Sequence, residues 1–250
     1  MKQQFISFAN QKGGVGKSSL TALMASYLHY LTKLNVAIID ADYPQYSIYN
    51  ARKRDMDLLE KDNYFKNLAY NQFKALNKTA YQVIISTPDK AISTAREFIA
   101  SSSKRVDIIL FDLPGTVQSQ GVLTTLSCMD HVFVPLVSDR LVLESSLAFA
   151  KTLNEMFVAK ETIRLKNVFL FWNQVDAREN NHLYEVYNKM MHEGKFNLLN
   201  SKIADTKRFR KEIVQEKKLI FRSTLFPASR QFTKSTGIEN LFLEILKILL

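Results

Sequence analysis

At 250 residues and 46% hydrophobic side chains, the chain can bury one sizeable core, and it lies within the span that α/β folds fill as a single domain, 1–250. One cysteine, Cys128, excludes an internal disulfide and a cysteine-only metal or cluster site within one chain, and the four dispersed histidines lack metal-ligand spacing. A net charge of +10, from 34 basic and 24 acidic residues, favours a polyanionic partner, either nucleic acid or an anionic membrane face.

The first element is the apolar run Phe5 to Ala9, which reads as a buried strand. A glycine-rich turn follows, and then a helix whose apolar positions Leu20, Leu23, Met24, Tyr27, Leu28 and Leu31 share one face. Val36–Ile39 is a second strand, ending at Asp40-Ala41-Asp42, and residues 53–77 are polar, aromatic and helical in parts. Val83–Ile85, Val106–Phe111, His131–Pro135 and Val168–Trp172 continue the strands. Ala91–Ser102, Leu141–Val158 and Tyr184–His192 are the helices between and after them. Weaker strands are expected at Ser201–Ala204 and Ser223–Phe226, before a last helix from Ile238. Strands alternating with helices predict a doubly wound, mainly parallel sheet of about seven to eight strands with helices on both faces. Polar groups cluster just past the strands, at Lys12–Ser18, Asp40, Asp42, Asp112 and Asn173, where open parallel sheets place their binding crevice.

Lys12-Gly13-Gly14-Val15-Gly16-Lys17-Ser18-Ser19 carries the strongest chemistry. A glycine turn that aims backbone N–H groups at one point before a helix N-terminus holds phosphate oxygens. Lys17 then reaches the terminal phosphates and the Ser18 hydroxyl is placed for Mg²⁺. The general phosphate-loop pattern needs glycine at position 11, which is Gln11 here, and a second lysine, Lys12, precedes the glycines. Asp112 ends an apolar strand before Pro114-Gly115, where a carboxylate can hold Mg²⁺ through a water or, alternatively, cap the turn. Asn173 offers both a donor and an acceptor directly after a strand.

These motifs resemble the deviant Walker A and the accompanying segments of the ParA/MinD family of P-loop ATPases, and the resemblance runs from Lys2 to Leu250. It implies a P-loop NTPase fold and slow Mg²⁺-dependent hydrolysis of ATP. It also implies an ATP-bound sandwich homodimer in which Lys12 reaches the partner's phosphate. By the same resemblance Asp40 lies near the Mg²⁺ shell and Asp42 orients the attacking water. Asn173 reads adenine, Phe226-Pro227-Ala228-Ser229 packs beside the base, and Gly115-Thr116-Val117-Gln118-Ser119 senses the γ-phosphate. The family's usual Asp-Pro-Gln is departed from: Tyr43 separates Asp42 from Pro44-Gln45.

Half of the net charge lies between Lys202 and Arg222, in Lys202, Lys207, Arg208, Arg210, Lys211, Lys217, Lys218 and Arg222 against three acids. Phe209, Ile213 and Phe221 interleave, as in a helix or hairpin packed on one side. Such a patch suits phosphate backbones without reading sequence, and ParA-type relatives use a similar position for non-specific DNA binding. The implied task is partition or positioning of a plasmid, chromosome or conjugative element, with a ParB-like or other stimulating partner. Two alternatives stand beside it: a MinD-like membrane ATPase, and a regulatory ATP-binding module with little turnover. The last helix has an apolar stripe, but Glu239 and Glu244 against Lys247 leave its side chains with a net charge of −1, which anionic lipids disfavour. No apolar run is long enough to span a bilayer and no charged-then-apolar leader is evident, so a cytoplasmic location is expected, with nucleoid association as an option within it.

Overall fold

The computed structural model describes residues 2–116, 121–160, 163–176, 178 and 181–250. The strands at its centre are β1 (Gln4–Phe8), β2 (Val36–Asp40), β4 (Ile108–Asp112) and β5 (His131–Leu136), each buried along its whole length. Alternate side chains serve opposite cores: Phe5, Ile39 and Phe111 face one, while Ile6, Ile38 and Leu110 face the other. That is why these segments read as continuous apolar runs. The flanking strands are β3 (Gln82–Ile85), β6 (Asn167–Val175) and β7 (Asn197–Ala204). The sheet has seven strands in the order β3-β2-β4-β1-β5-β6-β7, and every pairing is parallel.

One face is covered by α4 (Ala91–Ser101), α5 (Val122–Ser127), α6 (Arg140–Leu153) and α7 (Asn181–Glu193). The other is covered by α1 (Lys17–Leu31), α8 (Arg230–Thr236) and α9 (Ile238–Leu249). The apolar stripe of α9, including Leu241, Phe242 and Ile245, is buried in that second core, so it does not form an exposed amphipathic face. No helix among the described residues is long and apolar enough to cross a membrane.

Between β2 and β3 the chain inserts α2 (Ser47–Lys61) and α3 (Asn63–Leu76), which build a third cluster around Phe65, Ala69, Leu225 and Phe226. The expected strand at Ser223–Phe226 is absent. This segment is irregular because its polar groups bond to side chains instead of to a neighbouring strand. Buried Asp55 on α2 accepts from Ser223 Oγ (3.0 Å), Thr224 N (2.6 Å) and Thr224 Oγ1 (2.8 Å). Arg52 donates to the Thr224 hydroxyl and carbonyl. The basic stretch before it forms a 3₁₀ turn at Lys207–Arg210 and a short antiparallel hairpin, β8 (Ile213–Val214) with β9 (Leu219–Ile220).

His29, near the end of α1, is a buried link between elements. Its Nδ1 accepts the Val36 N–H at 3.2 Å, so the proton sits on Nε2, which donates to the Thr79 carbonyl at 2.9 Å. Burial pushes this imidazole down to about 4; the Thr79 carbonyl opposes the shift, and Lys78, Arg52 and Lys104 add to it. The unfolded chain takes up a proton near pH 6.5 and the folded one does not until about pH 4, so stability falls as pH drops through that window. Denaturant unfolding at pH 7.5 and 4.5 should show His29→Gln losing less stability than wild type over the interval, by on the order of 2 kcal/mol. Equal losses in the two proteins would contradict this assignment.

Candidate nucleotide-binding site

The loop between β1 and α1 is held open by ties to distant elements. Asn10 donates to the Pro135 carbonyl (2.9 Å) and Ser146 Oγ (2.7 Å), and its Oδ1 accepts the Lys12 N–H at 3.0 Å. Gln11 donates to the Ser145 carbonyl and hydroxyl on α6, both at 2.8 Å. Gly14 and Gly16 turn the chain with φ of 76° and 89°, a region that favours glycine. A Cβ on Gly16 would also come within 3.0 Å of Asn173 Nδ2. Behind the loop, Asn173 donates to the Val15 carbonyl and Gln174 to the Gly14 carbonyl, each at 2.9 Å. With these carbonyls tied back, the glycine-rich backbone borders a groove of about 320 Å³ that Lys17, Ser18, Ser19, Asp42, Gln45, Ser47 and Gly115 also line.

Lys17 bridges the mouth of the loop, its Nζ donating to the Lys12 carbonyl at 3.3 Å. Burial lowers its pKa, opposed by Asp112 and then Asp42. A Cβ on Gly115 would sit 3.0 Å from Lys17 Nζ, so this glycine leaves room for the ammonium. Thr116 lies in the described chain, but Val117, Gln118 and Ser119 of the expected γ-phosphate sensor lie outside the described residues. Lys12 is exposed, and no acidic partner holds its ammonium among the described residues.

The sheet register sets Asp40 directly beside Asp112. Asp112 is fully buried, and neither carboxylate oxygen meets a well-aligned donor among the described residues. Its pKa is pushed up to about 8, first by burial, then by Asp40; the nearby Ser18 hydroxyl favours the charged form, Asp42 opposes it and Lys17 favours it. Asp40 is committed elsewhere. Its Oδ2 accepts the Ile48 and Tyr49 N–H groups at the start of α2 (3.1 and 2.9 Å), and its Oδ1 faces the Asp42 N–H at 3.4 Å. Burial raises the Asp42 pKa, and Lys17 opposes this. The extra residue Tyr43 is absorbed in a turn: the Asp42 carbonyl accepts from Gln45 N and Tyr46 N, and the chain enters α2 at Ser47. An orphaned, buried carboxylate beside a hydroxyl suits Mg²⁺, which keeps several waters and takes few protein ligands. No cluster of three or more His, Cys, Asp or Glu residues suited to a metal occurs among the described residues, so such an ion would need further ligands from a bound phosphate or water.

The structure divides the remaining expected residues. Phe226 packs on Phe65 of α3 with ring centroids 6.2 Å apart, and Pro227 follows it half-buried. Among the described residues, the hydrogen bonds that hold residues 223–229 come from α1, α2, α3 and the chain itself. Lys207, Arg208, Lys211 and Lys217 are exposed. Lys202 lies over the Tyr184 ring at 5.2 Å and Lys218 over Tyr64 at 4.0 Å, while the side chain of Arg210 lies outside the described residues. Arg222 departs from the patch. It turns inward, donating to Ser19 Oγ at 2.6 Å and to Glu212 at 3.1 Å, and Glu212 also pairs with Arg54 at 2.5 Å. Gln174 and Asp55, and the long-range ties of Asn10 and Gln11, carry no sequence signal beyond positions at element ends or on a helix, because those partners lie far away in the chain.

A parallel sheet with a glycine loop at the C-terminal end of its central strand, a lysine across that loop and a buried aspartate beside it define a P-loop phosphate-binding protein. Residues 6–220 match the CobQ/CobB/MinD/ParA nucleotide binding domain, and the chain belongs to that family. Among curated proteins, an uncharacterized protein of Pseudomonas putida is 29% identical over 154 residues, which are 55% of this chain and 57% of that protein. The matched stretch therefore spans little more than half of that relative. In fold, the chain is similar to a plasmid partition protein of Borrelia burgdorferi B31 bound to AMPPNP (TM-score 0.61, 20% identity, 99% of each chain). It is also similar to a ParA family ATPase of Chlorobium tepidum TLS (0.57, 17%, covering 96% of this chain and 99% of that one). A third is MinD in its complex with MinC from Aquifex aeolicus (0.54, 16%, 82% and 83%).

Gln174 donates to the Gly14 carbonyl and so braces the loop backbone. Gln174→Ala should weaken binding of nucleoside triphosphates with different bases alike, by roughly fivefold to tenfold. Its unfolding midpoint should stay near wild type. Isothermal titration with ATP and CTP checks this; unchanged affinity would show that the brace is dispensable.

Proposed function

We propose that this chain is a ParA-type, Mg²⁺-dependent ATPase whose ATP-bound sandwich homodimer binds DNA and is released after slow hydrolysis. In this reading it serves partition or positioning of a plasmid, chromosome or conjugative element, with a stimulating partner protein. The observation that carries the reading is the pairing of an exposed, acid-free Lys12 with a groove that already holds its own lysine, Lys17.

Phosphoryl transfer asks mainly for positioning and charge neutralisation. The N–H groups of residues 13–18 and the Lys17 ammonium cradle the β- and γ-phosphates of ATP. Asp112 and Ser18 are the residues that would hold Mg²⁺, which neutralises phosphate oxygens and fixes their orientation when bound. Asp42 borders the groove and can accept a proton-bearing partner there, which suits it to orient the attacking water. Asp40 acts through position: it fixes the Asp42 backbone and the start of α2. Asn173 spends its amide N–H on Val15, which leaves its carbonyl oxygen as an acceptor for the adenine amino group. Lys12 supplies positive charge to the partner subunit's phosphate, in the manner of an arginine finger.

Steady-state turnover with Mg²⁺ and DNA tests the proposal. Wild type should hydrolyse ATP, while Lys12→Ala and Asp42→Ala should each fall by a factor of about 100 or more. Duplex DNA should be retained with ATP and released with ADP. A wild-type rate no higher than that of Asp42→Ala would leave a nucleotide-binding module without turnover, and equal DNA binding in every nucleotide state would defeat the switch.

A further inference from the structure

The insertion helix α3 has a solvent face unlike that of an ordinary surface helix. Its sequence, Asn63 to Leu76, contains two lysines and no acidic residue. The apolar side is fixed: Phe65 and Ala69 are buried in the third cluster, Phe73 and Leu68 pack beside them, and Gln72 donates to the Leu225 carbonyl at 2.8 Å. Asp62, the acid next to it in sequence, is turned in as the N-cap, accepting the Tyr64 N–H at 2.8 Å. Outward, two rows run along the helix at four-residue spacing. One is Asn63, Asn67 and Asn71; the other is Lys66, Tyr70 and Lys74; all six are exposed.

Asparagine is a poor helix former, and a solvated helix gains from Ala, Glu or Lys at such positions. Among the described residues no hydrogen bond or ion pair holds these three side chains, so at Asn67 and Asn71, inside the helix, the face gives up stability, and it also forgoes the carboxylates that would balance its lysines. What it gains is chemical. An asparagine amide presents a donor and an acceptor together, the pattern that matches a base edge in the major groove, and lysines at the same reach suit the flanking phosphates. The face is also continuous with the basic hairpin, because Lys218 Nζ sits 4.0 Å from the centre of the Tyr64 ring at the start of α3.

We propose that α3 is a duplex-DNA contact element, with the asparagine row toward base edges in the major groove and Lys66 and Lys74 toward the backbone. This rests on the DNA-binding part of the function proposed above and extends it from the basic stretch 202–222 to a surface in the insertion between β2 and β3. Binding would therefore carry a sequence preference on top of its charge-driven affinity.

Fluorescence anisotropy with the full chain, a hydrolysis-resistant ATP analogue, Mg²⁺ and a labelled mixed-sequence duplex tests it across salt. Lys66→Gln/Lys74→Gln should weaken binding at least about tenfold and reduce the salt slope by about two for each α3 helix of the dimer that touches the duplex. Asn67→Ala/Asn71→Ala should weaken duplex binding while raising the melting temperature, since alanine is the better helix former; a purely structural role would not move these readouts in opposite directions. Wild-type affinity and slope in both pairs would overturn the proposal. So would weakening confined to the hairpin pair Lys217→Gln/Lys218→Gln, an outcome that leaves DNA binding itself standing. Tighter binding of the matching single strand would overturn the groove contact, and wild-type protein that binds no duplex in any nucleotide state would remove the DNA reading and this extension together.

Discussion

A phosphate loop must keep its N–H groups aimed at an empty centre, and a short glycine-rich segment does not hold that shape unaided. Here the restraint comes from outside the loop. Asn10 and Gln11 tie its entry to β5 and α6, Asn173 and Gln174 hold the Val15 and Gly14 carbonyls from β6, and Arg222 reaches Ser19 from the C-terminal segment. Each tie contributes about 1 kcal/mol net, which is modest against the whole fold but large for a loop with two residues at positive φ. The order of the sheet follows from the same need. β1 lies between β4 and β5, so the loop leaves the sheet with partners on both sides.

The carboxylates show how that frame distributes charge. Register alone sets Asp40 beside Asp112, yet the two do different work. Asp40 is satisfied by the N-terminus of α2, while Asp112 is buried without an aligned donor and is pushed toward neutrality by burial and by its neighbour. A cation beside Ser18 would reverse that cost. From Asp40 the path continues along α2 to Asp55, Arg52 and Arg54, which clamp residues 212–224, and returns through Arg222 to the loop. The insertion and the basic hairpin are therefore fastened to the groove at both ends.

Much of this was legible in the sequence because it is local. Strands buried on both faces read as unbroken apolar runs, and the glycines and lysines of the phosphate loop have fixed spacing. A mainly parallel sheet of about seven to eight strands and the convergence of Lys17, Ser18, Asp42 and Asp112 followed from those signals; the sheet has seven, all parallel. What was not legible depends on distant partners. Ser223–Phe226 has the composition of a strand, but Asp55 and Arg52 supply its hydrogen bonds, so it never joins the sheet. Arg222 looked like one more surface cation because nothing in its neighbours announces Ser19, more than 200 residues earlier. Within residues 53–77, read as helical in parts, the boundaries were indistinct because α3 carries three asparagines on its exposed face, and the start of α2 at Ser47 was not anticipated.

The central claim is that each site is completed by the partner subunit's Lys12. Mixing Lys12→Ala with Asp42→Ala, each inactive alone, and measuring ATP hydrolysis against mixing ratio tests this without assuming the DNA reading. Heterodimers formed at an equal ratio hold one site with an intact Asp42 and a lysine from across the interface, so activity should return to about a quarter of the wild-type rate. A mixture that stays as inactive as its components, with heterodimers present by sedimentation, would contradict the account.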